Sequence, residues 1–102
     1  MYLVEIFLPL ADNEGSAFPA ELHEAVERAL SDRFGGVTAY PRAPASGLWK
    51  VSPTKSQQDD LVVYEVMTEQ LDAASWADYR QHLEKVFRQE KLLIRAQQIE
   101  VL

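Results

Sequence analysis

Apolar and polar residues follow two different spacings along the chain, and these predict four strands and two helices. The runs 2–8 and 61–67 are almost continuously apolar, and each is interrupted by one glutamate. Short runs of this kind are typical of strands in the centre of a sheet. Between them lies an apolar stripe with helical spacing, which consists of Leu22, Val26, Leu30 and Phe34.

The first helix is predicted to begin between Ser16 and Pro19 and to end at Gly35-Gly36. A serine hydroxyl accepts a hydrogen bond from a free amide at a helix start, and proline is tolerated in the first turn. Two adjacent glycines allow the positive φ that often ends a helix. Because this glycine pair follows a helix instead of preceding one, a phosphate-binding loop is not expected here.

The stretch after the glycines predicts an edge strand and then a hairpin. Residues 37–40 are β-prone, but Pro41 and Pro44 cannot donate ladder hydrogen bonds, which favours a position at the edge of the sheet. The strand is expected to resume over 48–51. The polar segment 52–58 then predicts a long hairpin loop.

A second helix is predicted near Ser75, because Ser75 and Asp78 have the spacing of a capping box. Its inner stripe is expected to comprise Trp76, Tyr79, Leu83, Val86 and Phe87. Since the aromatic residues belong to this stripe, core packing is favoured over a cofactor-binding role. The chain is then predicted to close with a strand over 92–102.

The element order β-α-β-β-α-β limits the topology of the fold. Crossover connections between strands are right-handed, so both helices are expected on one face of a four-stranded antiparallel sheet. This is the ferredoxin-like α+β arrangement, in a single domain that spans residues 1–102. In this arrangement the first strand lies between the third and the fourth, which agrees with the apolar character of the first and third strands.

Composition narrows the classes of partner. The chain has 102 residues, of which 47% are hydrophobic, and its net charge is −6. This combination is typical of a folded domain and unfavourable for binding nucleic acid or an anionic membrane surface. The absence of cysteine excludes disulfides and zinc–thiolate sites. The N-terminus lacks the pattern of a signal peptide and no apolar run is long enough to span a membrane, so a cytoplasmic protein is expected.

Three charged residues are predicted to meet on the sheet face that the helices leave uncovered, which we call the open face. Strand side chains alternate between faces, and charges avoid the core, so Glu5, Glu65 and Arg95 are expected there with Glu5 in the middle. Two adjacent carboxylates provide a candidate acid or base, and Arg95 could hold an anionic ligand through two hydrogen bonds. The other interpretation is structural: an ion pair between neighbouring strands with one additional carboxylate, all of which would be covered where the sheets of two subunits pack in a dimer.

The open face is also predicted to be apolar around these charges. The apolar residues expected there are Leu3, Phe7, Val63, Met67 and Leu93. A small protein rarely leaves such a face in water, so we expect a homodimer through the open sheet face, with a small-molecule ligand as the other occupant. Tyr40 and Trp49 are expected to border the charged group, although Trp49 fits the sheet edge over the first helix equally well.

The two histidines are expected to lie at the boundaries of the helical stripes. His23 and His82 each flank a stripe, and neither has a second histidine four residues away, so no metal site is predicted. No motif implies a cofactor. The run 61–67 also lacks the basic and aromatic residues of RNA-binding domains with the same element order.

Four short segments resemble a group of small bacterial proteins of unknown function. They are Phe34-Gly35-Gly36-Val37-Thr38, Gly47-Leu48-Trp49, Glu65-Val66 near the end of the third strand, and Phe87-Arg88-Gln89-Glu90 before the last strand. The resemblance spans 34–94, implies a ferredoxin-like α+β fold, and carries no catalytic residues. A looser likeness is to dimeric α+β barrel proteins, which include cofactor-free monooxygenases and isomerases.

Two functions follow as hypotheses. The first is a homo-oligomeric ferredoxin-like domain that acts as a small-ligand-binding or interaction module. The second is a small cofactor-independent enzyme, monooxygenase-like or isomerase-like, whose site on the open face is formed around Glu5, Glu65 and Arg95. A closed polar cavity at Glu65 would favour the enzyme, and the sequence itself leaves the choice open.

Overall fold

The structure, a computed structural model, describes residues 1–42, 50–52, 55–56 and 61–102. Its helices are α1 (Ala20–Phe34) and α2 (Ala73–Val86). Its strands are β1 (Tyr2–Pro9), β2 (Thr38–Arg42), β3 (Lys50–Ser52), β4 (Lys55–Ser56), β5 (Leu61–Thr68) and β6 (Leu93–Gln98). No helix in this part of the chain is long and apolar enough to cross a membrane.

Four of the strands form an antiparallel sheet in the order β2-β5-β1-β6. The first strand therefore lies between its two predicted neighbours, and β2 lies at an edge, as the prolines indicated. The segment 52–58 differs from the prediction of a loop, because β4 lies within it and pairs with β3 in a separate two-stranded sheet. The fold is α+β, with a four-stranded antiparallel sheet and two helices.

Both helices pack on one face of the sheet, which we call the helix face. Alternate residues of the two central strands point into this layer, and burial of their apolar side chains supplies most of the driving force for folding. The buried strand residues on this face are Val4, Ile6, Leu8, Val62, Tyr64 and Val66, and the helices cover them with Val26, Leu30, Leu83 and Phe87. Phe34 and Trp76 are only partly buried at the border of this cluster.

The start of α1 differs from the prediction. The helix begins at Ala20 after Pro19, and no side chain caps it. Ser16 instead belongs to the preceding loop, where its backbone amide donates to the carboxylate of Asp12 over 2.9 Å. The end of the helix is as predicted, since Gly35 has φ 80° and its amide donates to the carbonyl of Ser31.

The start of α2 also lies earlier than the predicted capping box. Asp72 is the capping residue, and its carboxylate accepts a 3.1 Å hydrogen bond from the amide of Ser75. The hydroxyl of Ser75 is the partner of Arg33, whose guanidinium donates to it over 2.7 Å. Ser75 therefore connects the end of α1 to the start of α2, and a tertiary contact overrides the local capping pattern.

The end of α2 carries a left-handed residue that is not glycine. Arg88 has φ 52°, and it occupies the position after the helix that most often holds glycine. Two hydrogen bonds close the turn, from the Gln89 amide to the Glu84 carbonyl at 2.9 Å and from the Arg88 amide to the Lys85 carbonyl at 3.3 Å. The Arg88 guanidinium lies 3.6 Å from the carboxylate of Asp12, so the turn is tied to the loop before α1.

The last strand is shorter and more exposed than predicted. It ends at Gln98 and does not continue to residue 102. Ile94 and Ala96 point to the helix face as expected, but Ile94 is only partly buried and Ala96 is exposed. The reason is that β6 is an edge strand, so one of its sides has no neighbouring strand in the described part of the chain.

Candidate functional site

The predicted meeting of the charged residues is confirmed by the strand register. Glu5 of β1 lies directly opposite Glu65 of β5 on one side and opposite Arg95 of β6 on the other. Thr38 of β2 continues the row on the far side of Glu65. A row of four polar residues therefore crosses the sheet from edge to edge on the open face.

Arg95 and Glu5 form a charge-assisted hydrogen bond. The Nε of Arg95 donates to Oε1 of Glu5 over 2.9 Å, and the side chain of Glu5 is 14% exposed against 55% for that of Arg95. The guanidinium carbon of Arg95 also lies 4.9 Å from the centre of the Phe7 ring, a distance at which a cation and an aromatic face attract each other. Arg95 therefore contacts two residues of β1. The sequence analysis expected its guanidinium to bind an anionic ligand, whereas in the structure it binds Glu5.

Glu65 faces Glu5 as a like charge. The amide of Ile99 donates to the carbonyl of Met1 over 2.9 Å, so Met1 bonds through its backbone to the chain that continues β6. In an antiparallel ladder every second residue of a strand bonds to the same neighbouring strand, so Glu5 also bonds through its backbone to β6. The pair of Glu5 and Glu65 is then of the type without backbone hydrogen bonds, in which opposite side chains come closest. Arg95 pairs with Glu5 and lies on the far side of it from Glu65, so the two carboxylates and one guanidinium of this part of the row carry a formal charge of −1.

Exposed apolar side chains surround the charged row. Met67 is 53% exposed, Tyr40 50% and Leu93 41%. Tyr40 lies opposite the buried residue Val63, which confirms its predicted place on the open face beside the charges. Trp49, the other aromatic residue expected there, lies outside the described residues.

A hollow of about 390 Å³ lies beside Arg95 on the open face. Its described lining consists of Glu5, Arg95, Ala96 and Gln97. We call it the open-face hollow. Of the predicted group, Glu5 and Arg95 therefore share a concave surface, whereas Glu65 and Tyr40 lie further along the same face.

A second polar group, which the sequence analysis did not identify, lies between the helix face and α1. The hydroxyl of Tyr64 lies 2.8 Å from Nδ1 of His23, and Nε2 of His23 lies 3.2 Å from the carbonyl oxygen of Pro9. A carbonyl only accepts, so Nε2 carries the proton and Nδ1 accepts from the tyrosine. A tyrosine hydroxyl on a buried strand face needs a partner, and this requirement is the signal that points to His23.

Burial favours the neutral forms of both residues in this pair. It lowers the pKa of His23, against the opposing effects of the Pro9 carbonyl and of the negative charge of Glu27. Burial also raises the pKa of Tyr64, and the charge of Glu27 acts in the same direction. Tyr64 is 1% exposed and His23 is partly buried, so the pair lies at the border of the core under α1.

No metal site is found where the structure describes the chain, since no group of three His, Asp or Glu residues there could hold an ion. The ring of His82 lies 6.3 Å from that of Tyr79 in a stacked arrangement on α2. His23 is taken up by the two hydrogen bonds of the core. Both histidines therefore have packing roles at the borders of the helices.

No protein-family model and no curated protein sequence matches the chain. A solved structure of a phage SAM lyase in complex with S-methyl-5′-thioadenosine is similar to it, with a TM-score of 0.54 and 15% sequence identity. The match covers 95% of this chain and 80% of the lyase chain. At this level of identity the likeness shows a shared fold and nothing about the reaction.

Proposed function

We propose that this chain is a ferredoxin-like domain that binds a small organic cation with an apolar body on its open face. The proposal of a ferredoxin-like fold is supported by the element order and by the position of β1 between β5 and β6. The observation that carries the proposed ligand class is the pair of facing carboxylates, of which one is neutralised by Arg95. A cationic group of a ligand beside Glu65 would neutralise the remaining negative charge of the row.

The neighbouring aromatic and apolar side chains support the second half of this ligand class. Phe7 and Tyr40 lie two residues along their strands from the charged row, on the same face, and the ring of Phe7 is already in contact with Arg95. Aromatic faces attract cations, and exposed apolar surface favours a ligand that removes it from water. The negative charge and the aromatic surface thus favour the same kind of molecule.

Self-association through the open face is the second part of the proposal. Two copies that face each other would cover Met67, Tyr40 and Leu93, which are between 41% and 53% exposed in one copy. The ligand would then lie between two sheets. This homodimer is the arrangement expected for an apolar face on a small domain.

Isothermal titration calorimetry with two related probes tests the ligand class. SAM carries a sulfonium cation and S-methyl-5′-thioadenosine does not; the likeness to the lyase motivates only this choice of probes. We expect SAM to bind more tightly, and we expect Glu65→Gln to weaken SAM binding by about tenfold while leaving the neutral probe unaffected. Glu69→Gln, which removes a carboxylate beyond the end of β5, is the control. Equal binding of SAM to the wild-type protein and to Glu65→Gln would contradict the proposal.

Light scattering tests the association separately from ligand binding. We expect a dimer for the wild-type chain and a monomer for Met67→Lys, because the lysine would place a charge in the middle of the interface. Val101→Lys, at a similarly exposed apolar residue beyond β6, is the matched control and should remain dimeric. A wild-type monomer would remove the dimer from the proposal and leave the ligand class to the calorimetric test.

An enzyme remains the alternative function, because Glu65 is a carboxylate without a cationic partner of its own opposite it in the strand register. Such a group could act as a general base towards a bound substrate. Chromatography of the SAM mixture after incubation separates the two functions. Conversion of SAM that is lost in Glu65→Gln supports an enzyme, and binding without conversion supports a module.

A further inference from the structure

Glu65 is a carboxylate on the open face whose neighbours in the strand register supply no positive charge. It lies opposite Glu5 of β1 on one side and opposite Thr38 of β2 on the other. Like charges that face each other across a strand pair are destabilising, and a cation close to Glu65 would offset this repulsion. The open face therefore has a place for a positive group beside Glu65.

Arg95 can bind a second carboxylate while it keeps its bond to Glu5. That bond uses one of the five N–H donors of the guanidinium, and the side chain of Arg95 is 55% exposed. The open-face hollow of about 390 Å³ lies beside it and has room for a side chain that comes from above the sheet. The second carboxylate would therefore have to come from outside this copy of the chain.

The positions of Glu65 and Arg95 are symmetric about Glu5. Each lies one strand away from Glu5, on opposite sides and in the same register. A second copy related by a twofold axis along β1 through Glu5 would therefore place its Arg95 over Glu65 of the first copy. The same axis would place its Glu65 over Arg95 of the first copy. Such an axis also keeps the strands of the two sheets within about 30° of each other, as packed sheets require.

The apolar residues of the open face agree with the same axis. Met67 and Gln97 both lie opposite Leu3, so Met67 of one copy would lie over Gln97 of the other. Met67 is 53% exposed, and Gln97 lines the open-face hollow, so this contact would remove the methionine from water. On the other side of the row, Leu93 of one copy would lie over Val63 of the other.

Other twofold arrangements of this face leave a charge without a partner. With the axis between β1 and β5, Glu5 of each copy would lie over Glu65 of the other, and with the axis along β5 the two copies of Glu65 would meet. With the axis between β1 and β6, Glu5 would meet Arg95, but Glu65 would lie outside the overlap of the sheets. An axis across the strands would lay the charged row over itself or over apolar residues, and burial of an unpaired charge is costly.

We propose, on the basis of the self-association in the proposed function, that two copies pack their open faces about a twofold axis along β1 and that Glu65 of each copy binds Arg95 of the other. The strands β5, β1 and β6 of each sheet overlap, and Tyr40 on β2 borders the interface. The row of each copy keeps its formal charge of −1 in the dimer. The negative charge that would attract the proposed ligand is therefore retained.

Glu65 has two opposing effects on stability in this arrangement. Within one copy it repels Glu5, and between copies it binds Arg95. Unfolding at concentrations at which the dimer has dissociated measures only the repulsion. At higher concentrations, Glu65→Gln should raise the dissociation constant of the dimer about tenfold.

Exchange of the two charges tests the arrangement by light scattering. Glu65→Arg brings two arginines of opposite copies together and Arg95→Glu brings two carboxylates together, so each variant alone should be a monomer. An equal mixture of the two variants should form a heterodimer, because every reversed charge then faces its complement. The double variant Glu65→Arg/Arg95→Glu should form a homodimer again. Circular dichroism checks that each variant is folded.

Cross-linking tests the position of the axis in a chain that keeps both charges. The chain has no cysteine, so Leu3→Cys introduces a single thiol on β1. This residue would lie beside the axis, and a bismaleimide with a short spacer should join the two copies. Ala74→Cys, at an exposed residue of α2, is the control and should not be cross-linked. This measurement decides the matter even if a charge-reversed variant fails to fold.

The outcomes distinguish this pairing from self-association in general. A dimer that persists in both charge-reversed variants would leave the self-association in place and overturn the pairing. A mixture of two folded variants that stays monomeric, or a wild-type dimer whose Leu3→Cys form is not cross-linked, would also overturn it. A wild-type monomer would overturn both the pairing and the dimer, and the calorimetric test of the ligand would be unaffected.

Discussion

The hydroxyl of Tyr64 donates a 2.8 Å hydrogen bond to Nδ1 of His23, and this bond determines which form of the histidine the core accepts. With Nδ1 as acceptor, the proton lies on Nε2 and reaches the Pro9 carbonyl at 3.2 Å. A second proton on the ring would occupy Nδ1, which could then no longer accept this hydrogen bond. It would also place a positive charge beside the buried rings of Tyr64 and Phe87, the second of which lies 5.2 Å from His23.

The first prediction concerns pH. Burial lowers the pKa of His23 below the ordinary histidine value, so the unfolded chain binds this proton more readily than the folded chain. Stability from this residue is complete above the ordinary value of about 6.5 and is lost as the pH falls towards the folded pKa. Urea unfolding at several pH values should show that the advantage of the wild-type protein over His23→Gln shrinks between about pH 8 and about pH 5. The control variant His82→Gln should lose stability in acid as the wild-type protein does. If His23→Gln also loses as much stability as these two proteins, the prediction is contradicted.

The second prediction concerns the facing carboxylates. Glu65→Gln removes a like charge opposite Glu5 and keeps the shape of the side chain, so the free energy of unfolding should rise by about 0.2–1 kcal/mol. Glu69→Gln makes the net charge less negative by the same amount but leaves the pair of Glu5 and Glu65 intact. Any rise in the free energy of unfolding of this variant therefore measures the effect of total charge alone. If the two variants unfold at the same urea concentration, the two glutamates do not repel each other in the folded chain.

The third prediction concerns the contact between the helices. The rings of Phe34 and Trp76 are stacked, with centres 5.2 Å apart and planes 10° apart. Phe34 is only partly buried, so Phe34→Ala should cost about 2 kcal/mol, less than the truncation of a fully buried phenylalanine. Phe34→Leu keeps apolar contact without the stacked ring and should cost about 1 kcal/mol. A loss below about 1 kcal/mol for the alanine variant would show that this contact contributes little.

The fourth prediction concerns the left-handed turn after α2. Arg88 has φ 52°, a conformation that is strained for residues with a β-carbon and relaxed for glycine. Arg88→Gly and Arg88→Ala both remove the contact with Asp12, but only glycine relieves the strain. Thermal unfolding should therefore find the glycine variant more stable than the alanine variant by about 1 kcal/mol. Equal stability of the two would mean that the turn relaxes when the arginine is replaced.

The positions of the charged residues were predictable because one face of each strand is buried. A shift of one residue in β1 or β5 would move Glu5 or Glu65 into the core and Val4 or Val66 into water, so the apolar pattern alone fixes which face the charges take. The order of the strands followed from the handedness of the crossovers. These two rules place Glu5 between its neighbours without any knowledge of contacts.

The helix starts and the pair of His23 and Tyr64 were not predictable by the same reasoning. Asp72 and Ser75 both have capping chemistry, and the choice between them depends on Arg33, which is distant in sequence and takes the serine hydroxyl. His23 and Tyr64 are 41 residues apart. Single-sequence patterns describe local preferences, and contacts of this range are decided by how the helices pack on the sheet.

The two borders of the main sheet are chemically unequal, and this inequality limits polymerisation. Fibrils that grow by joining strand to strand need a receptive border on both sides of every subunit. Pro41 withholds a backbone proton at one border. Proline at one border therefore disfavours growth of a fibril in that direction.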